Sequence, residues 1–319
     1  MNYGMPYMGS KNRIAPWILE HLPEADNLYD LFGGGGAITH CAALSGKYKT
    51  IHYNDIQPGL TKLFKDATEG KYKDENRWIS REDFFKLKDD EPFININWSF
   101  GNKQNTYMYS KDLEPWKKAI HYAVLFQDYS YFKEFGIDDV ELKESTPHLR
   151  RLEFCKLYRK KEKEWKKKMK NLKESKKPER LQSLESLERL QSLERLERFQ
   201  RLEMLVNAIN LERINDLENE NLLTNIEYYE QSYDEFKIPE NSVIYCDIPY
   251  KGTEKYSNKF DYEKFYKWAC EQTVPIYISE YDMPSDKFEV IDEIEKTVIL
   301  NDKKNKKAIE KIFIPIKEK

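Results

Sequence analysis

Two stretches far apart in the chain share one texture, and this limits the fold more than any other feature. Residues 27–31 (NLYDL) are β-forming and run into FGGGGA, then a small-residue helix over 37–45. A second β-forming run, 49–53, closes on Asn54-Asp55, and the chain from Pro58 onward reads as helix. Strand, helix and strand within about thirty residues make the βαβ unit of a parallel sheet. The alternation resumes only near residue 235. A strand at 242–246 (SVIYC) is followed by a helix at 262–271, a strand at 274–279 and β-like stretches at 289–300 and 311–316. One sheet built from both ends explains this most simply. The expected fold class is α/β, Rossmann-like, with residues 1–85 and 235–319 forming a discontinuous domain and residues 86–234 a mostly helical insert.

The insert is rich in Tyr, Trp, Lys and Glu. WSFGNKQNTYMY (98–109) reads as a polar, aromatic loop, and residues 114–126 and 149–173 read as helix. Residues 156–177 carry twelve Lys or Arg against three Glu, a local excess that suits a polyanion or, equally, a solvated helix face. A nine-residue unit, LQSLESLER then LQSLERLER, opens a segment, 181–205, with an apolar residue at every third position. This is not a heptad. At about 100° per residue the apolar stripe slips by about 60° at each step, so leucine appears on every side of a straight helix. The segment reads as an expanded helical spacer without chemistry of its own.

Charge and cysteine usage remove several classes. The 319 residues carry a net charge of -3 and no apolar run near the roughly 20 residues that span a membrane. The N-terminus lacks the apolar core of a secretory signal. Cys41, Cys155, Cys246 and Cys270 are scattered, and the five histidines do not fall at ligand spacing. The expectation is a cytoplasmic protein with reduced thiols, no metal and no membrane contact, acting as a monomer.

Two turns carry candidate chemistry. Glycines between a strand and a helix let backbone approach a ligand, with the helix N-terminus favouring an anionic group. In DLFGGGGAIT (30–39) they are consecutive and lack the dinucleotide fingerprint, so a plain tight turn stays open. Asp55, at the end of the next strand, suits a ribose hydroxyl or a helix cap. At the other end, a strand delivers Asp247-Ile248-Pro249-Tyr250 at its tip. The amine of adenine is a poor nucleophile because its lone pair is delocalised into the ring. A carboxylate and a backbone carbonyl aimed at its two N–H groups make that lone pair more available. Proline fixes the local backbone, and an aromatic ring stacks on an extruded base.

Taken in order, these segments resemble the Dam-like (D12 class) N6-adenine DNA methyltransferases, whose cofactor motif precedes the recognition domain and whose catalytic motif follows it. YMGSKNRI (7–14) is similar to the family's N-terminal Gly-x-Lys segment and DLFGGGGA (30–37) to its Phe-x-Gly-x-Gly loop. YNDI (53–56) is similar to its acidic turn, IYCDIPYKGT (244–253) to its Asp-Pro-Pro-Tyr motif, and KFDYEKF (259–265) and YISEY (277–281) to the segments after it. Ile248 stands where the family usually has proline; the carbonyl survives the change.

The resemblance implies S-adenosylmethionine as cofactor. It implies Tyr7 and Lys11 as cofactor contacts, Lys11 near the carboxylate, and a methionine pocket shaped by Phe32, Gly33 and Gly35. It further implies ribose binding by Asp55, amine binding by Asp247 and the Ile248 carbonyl, with Asp247 also bordering the cofactor, and stacking by Tyr250 beside Pro249. Double-stranded DNA becomes the expected partner. Asn102, Lys103, Gln104 and Asn105 offer base-edge chemistry, and Arg150, Arg151 and the 156–177 block suit phosphates. Lys251, Lys255, Tyr256 and Asn258 suit a loop over the flipped nucleotide. The expected activity is methyl transfer to N6 of adenine in a specific DNA sequence by base flipping. Methylation of cytosine N4, RNA adenine or protein glutamine, or a non-catalytic helical nucleic-acid-binding protein, are the alternatives.

Overall fold

A computed structural model describes residues 3–102, 104–135, 137, 140–157, 223–250, 260–298 and 306–317. The chain divides into two compact units, residues 1–73 with 213–319, and residues 74–212.

The first unit is built on a seven-stranded sheet. Its strands are β1 (Asn27–Asp30), β2 (Thr50–Asn54), β3 (Ile226–Tyr229), β4 (Ser242–Cys246), β5 (Ile276–Glu280), β6 (Phe288–Val298) and β7 (Lys306–Pro315), in the spatial order β3-β2-β1-β4-β5-β7-β6. The first five run parallel, and β7 and β6 complete the sheet antiparallel. Every residue of β4 is buried, as a central strand of a parallel sheet covered on both faces must be. The outer strand β6 instead alternates Glu289, Asp292, Glu293 and Glu295 with apolar residues, and charges on an edge strand discourage further pairing.

Three helices precede the insertion: α1 (Ala15–His21), α2 (Ala37–Ser45) and α3 (Leu60–Thr68). In α2 the residues Ala37 to Ala43 are all buried, and small side chains let the helix lie close to its neighbours. Gly46 ends it in a left-handed conformation and returns its N–H to the Ala43 carbonyl. The helix Tyr262–Cys270 is capped by Asp261 and sends Phe265, Tyr266 and Ala269 into an apolar cluster with Tyr29, Ile244, Ile278 and Phe313.

The expected domain boundaries differ from those of the units. Ile226–Tyr229, placed in the insert by its sequence, pairs with β2 in the sheet, Ile51 opposite Ile226. The helix Arg81–Leu87, which straddles the expected boundary at residue 85, falls within the second unit.

The second unit begins with that helix, closed by a Ser80–Asp83 capping box, and continues through Pro92–Asn97, Glu114–Phe126 and Ser130–Lys133 to a helical stretch at 147–157. One focus of packing is aromatic: Trp78 lies flat on Tyr109 and edge-on to Trp98 and His121. The other joins Ala119, Ile120, Ala123 and Val124 to Phe132, Leu142 and Phe154. The rest of the expected helix 149–173, most of the basic block and the 181–205 repeat lie outside the described residues, as do Lys103, Lys251, Lys255, Tyr256 and Asn258. Among the described residues no helix is long and apolar enough to cross a membrane.

Candidate active site

Strand order reverses at β1, whose neighbours are β2 on one side and β4 on the other. Open parallel sheets bind ligands at such a switch point, outside the carboxyl ends of the strands. Three segments singled out by sequence converge there. The glycine turn leaves β1, Asp55 follows β2, and Asp247 follows β4; Asp30 is in register with both Tyr53 and Tyr245. Backbone bonds knit the ends together. Leu31 N–H donates to the Tyr245 carbonyl at 3.1 Å, and Gly33 N–H to the Asn54 carbonyl at 2.8 Å.

The glycine turn is fixed by what presses on it. A Cβ on Gly33 would enter the Tyr53 ring, and one on Gly35 would sit 2.7 Å from the Met5 carbonyl oxygen and from Tyr7 Cβ. Gly36 has φ of 71° against the Phe64 ring, so only glycine fits before α2. The N-terminal segment lies across this turn: Met5 N–H donates to the Gly35 carbonyl at 2.6 Å, and Gly4 N–H to His40 Nδ1 at 2.9 Å.

Asp55 holds the turn from the other side. Its Oδ2 accepts from Gly34 N–H at 2.9 Å and its Oδ1 from Gln57 N–H at 2.8 Å. Burial pushes the carboxyl above its ordinary pKa, against those two bonds. Asn54 had no assigned role in the sequence, yet its amide donates to the carbonyls of Leu31 and Gln231, tying the ends of β1 and β2 to the chain after β3. Asp30 was also passed over. Its Oδ2 accepts from Thr39 N–H (3.2 Å) and Thr39 Oγ1 (2.7 Å), while Oδ1 is buried with no hydrogen-bond partner among the described residues. Burial raises its pKa to about 7, the Thr39 bonds opposing the rise and Asp247 adding to it. An acid after a strand that also reads as the start of a turn gave no separate signal in sequence.

The remaining candidates form a charged cluster. Lys11 is 4% exposed. Its Nζ lies 2.5 Å from Asp247 Oδ1, 2.5 Å from the Tyr250 hydroxyl oxygen and 3.5 Å from Glu310 Oε1. The Tyr250 hydroxyl accepts from Lys11 and donates to Glu310 at 2.7 Å. Burial alone would lower the Lys11 pKa; Asp247 and Glu310 outweigh it and hold the ammonium above its ordinary value. Burial, then the charges of Asp247 and Glu310, push the Tyr250 hydroxyl far up, so it stays a donor. Glu310 had no assigned role in the sequence, where the β-like stretch starts only at Lys311.

Other expected residues sit differently. Tyr250 packs its ring on Tyr281, with centroids 4.4 Å apart. Ile248 is buried in the apolar cluster, so its side chain is core while the Pro249 carbonyl accepts from Tyr262 at 2.8 Å. Phe32 packs against Tyr233, Phe260 and Phe265, and Tyr7 donates from its hydroxyl to Gln57 at 2.6 Å.

In the second unit, Asn102 has a positive φ and spends its amide on the Ile96 carbonyl. Gln104 shares the left-handed conformation and is anchored by Ser99, while Asn105 is exposed. Arg150 and Arg151 differ from expectation. Both are buried, Arg150 reaching the Leu125 carbonyl at 3.5 Å and Arg151 reaching His148 Nδ1 at 3.1 Å, so neither guanidinium is presented as a surface phosphate contact. Among the described residues no group of three or more His, Cys, Asp or Glu could hold a metal ion.

A family model for the D12 class N6 adenine-specific DNA methyltransferases matches residues 7–187. The matched span contains Tyr7, Lys11, the glycine turn and Asp55; Asp247 to Tyr250 lie beyond it. A comparison with curated proteins gives no match.

Proposed function

The chain belongs to the D12 class of N6 adenine-specific DNA methyltransferases, and from that premise we propose that it transfers a methyl group from S-adenosylmethionine to N6 of adenine in a specific double-stranded DNA sequence, flipping the base to do so. One observation carries the site assignment: the glycine turn, Asp55 and Asp247 leave the carboxyl ends of three adjacent strands.

The residues present fit the cofactor. Asp30 Oδ1, buried beside the glycine turn and lacking a hydrogen-bond partner among the described residues, matches the ammonium of the methionine moiety. Asp55 keeps acceptor capacity on both oxygens for a ribose diol, since a carboxylate oxygen takes more than one hydrogen bond. Ile56, 65% exposed directly after it, offers an apolar face to an adenine ring. When bound, S-adenosylmethionine supplies an electrophilic methyl on a sulfonium.

The protein's own residues orient the acceptor. Asp247 is partly open, its side chain 21% exposed, and takes one N–H of the target amine while the Ile248 carbonyl takes the other. The carboxylate also stabilises the positive charge that builds on N6 during attack, which is where a fixed charge contributes most. Proximity and orientation supply much of the rest. Tyr250 and its stacked neighbour Tyr281 provide the aromatic wall against which an extruded base rests. Residues 74–212 are assigned the reading of the DNA, with the polar loop around Asn102, Gln104 and Asn105 as its base-facing part.

The test is to express the chain in a host without DNA methylation and sequence the DNA for modified bases. N6-methyladenine confined to one short motif is the expected result. N4-methylcytosine, or unmodified DNA with methylated RNA or protein, would overturn the reading.

A further inference from the structure

Glu310 lies in β7 between β5 and β6, with no side-chain exposure, and the mechanism above does not use it. A buried carboxylate is costly unless charge and hydrogen bonds compensate it. Compensation from the candidate active site includes the Tyr250 hydroxyl at 2.7 Å and the Lys11 ammonium at 3.5 Å. A single buried ammonium therefore stands between two carboxylates, close to Asp247 (2.5 Å) and farther from Glu310, with the Tyr250 hydroxyl bridging toward the farther one.

This arrangement poses a problem for methyl transfer. While Lys11 sits on Asp247, the ammonium competes with the target N–H for the same oxygen and cancels the negative charge that should stabilise the attacking nitrogen. Asp247 can act at full strength only if the ammonium has another counter-ion within the same dry pocket, because stranding it unpaired costs several kcal/mol. Glu310 is placed to be that counter-ion, and the distance to be closed is short.

We propose that Glu310 is a positioning residue for methyl transfer: it draws the Lys11 ammonium off Asp247 as the target amine arrives, with the Tyr250 hydroxyl holding the shared geometry. The inference rests on the assignment of Asp247 as the amine acceptor. No bond is made or broken in this step; one hydrogen-bonded ion pair is exchanged for another. Its signature is a loss in the rate of methyl transfer with little loss of S-adenosylmethionine binding, and a dependence on Lys11.

The experiment is a double-mutant cycle in the full chain, using Glu310→Gln, Lys11→Met and both together. Gln retains an acceptor for Tyr250 but no charge. Single-turnover methyl transfer to DNA from a methylation-free host and calorimetric binding of S-adenosylmethionine are the readouts. Glu310→Gln should slow transfer by at least about tenfold, within the range of coupling between contacting residues, and change cofactor affinity by less than about threefold. In the Lys11→Met background, where no ammonium remains to move, the same substitution should cost less than about threefold. Equal losses in both backgrounds, or a folded Glu310→Gln protein at the wild-type rate, would overturn the proposal. Should Glu310→Gln fail to fold by circular dichroism, Glu310→Asp replaces it in the same cycle; it should slow transfer only where Lys11 is present, and an equal cost without Lys11 would again be fatal. A wild-type protein that methylates no adenine removes the functional reading and the inference with it; an active wild type with an additive cycle removes the inference alone.

Discussion

Both units bury charge, but in different company. At the carboxyl edge of the sheet, Lys11 meets Asp247 and Glu310, and one tyrosine hydroxyl bonds both Lys11 and Glu310. In the second unit the cations also meet rings and neutral acceptors, beside ion pairs such as Arg81 with Glu114 at 3.3 Å. Lys117 lies 5.5 Å from the Tyr109 ring, Arg81 lies 5.0 Å from the Tyr107 ring, and Arg150 reaches a backbone carbonyl. The first arrangement responds to any change of net charge, because each member sets the energy of the others. The second uses the long side chains largely as packing material, their stems laid against apolar and aromatic neighbours. Substitution should therefore separate chemistry from stability along the same line that divides the units.

The largest effect belongs to Asp247→Ala. Methyl transfer should fall by about a hundred- to a thousandfold, the range reached when a preorganised transition-state contact is removed. The circular dichroism spectrum should stay that of the wild type. Residual transfer within tenfold of wild type would place the chemistry elsewhere and erase the distinction between the two sets of charges.

Next in size is Trp98→Ala. Trp98 is buried edge-on to Trp78, and removing it should cost about 3–5 kcal/mol of stability in urea unfolding, as large-to-small aromatic deletions do. A cost under about 1 kcal/mol would mean that the aromatic cluster does not hold the second unit together.

The smallest concerns Asp30. Its pKa rises from 3.8 in the open chain to about 7 in the fold, so between those values the folded state holds the extra proton. Its contribution to stability is thus full below pH 3.8 and is lost as pH climbs toward about 7. Asp30→Asn should remove that slope from melting curves collected across the interval. The same substitution should flatten the tightening of S-adenosylmethionine binding expected as wild-type Asp30 ionises. A variant whose melting follows the wild-type slope would show that some other group titrates there.

Much of the sheet was readable because its signals are local. VIYC (243–246) is an unbroken β-forming run without a charge, which suits a central parallel strand, and the glycines of 33–36 announce a turn before a helix. β3 was missed because four residues, IEYY, with one exposed glutamate carry too little pattern; only pairing with β2 makes them a strand. The burial of Glu310, Arg150 and Arg151 was not legible. Polarity predicts exposure on average, but a charge can be buried wherever a partner distant in sequence meets it, as Lys11 and Tyr250 meet Glu310. Asp55 lay between these cases: its position was legible, while its grip on Gly34 and Gln57 was not.

The pairing of β1 with β4 has a consequence for how the molecule comes into being. Asp30 and Tyr245 are partners in register, yet the ribosome must deliver everything between them before they can meet. Until then β1 has one open edge, and the nascent N-terminal third holds only two of the seven strands, the hydrogen-bonding groups on their outer edges unspent. Closing so long a loop is slow even though its entropic cost grows only logarithmically with length. Newly made chains should lean on chaperones during that interval, and a truncated product ending before Ser242 should accumulate as aggregate instead of as a cofactor-binding fragment.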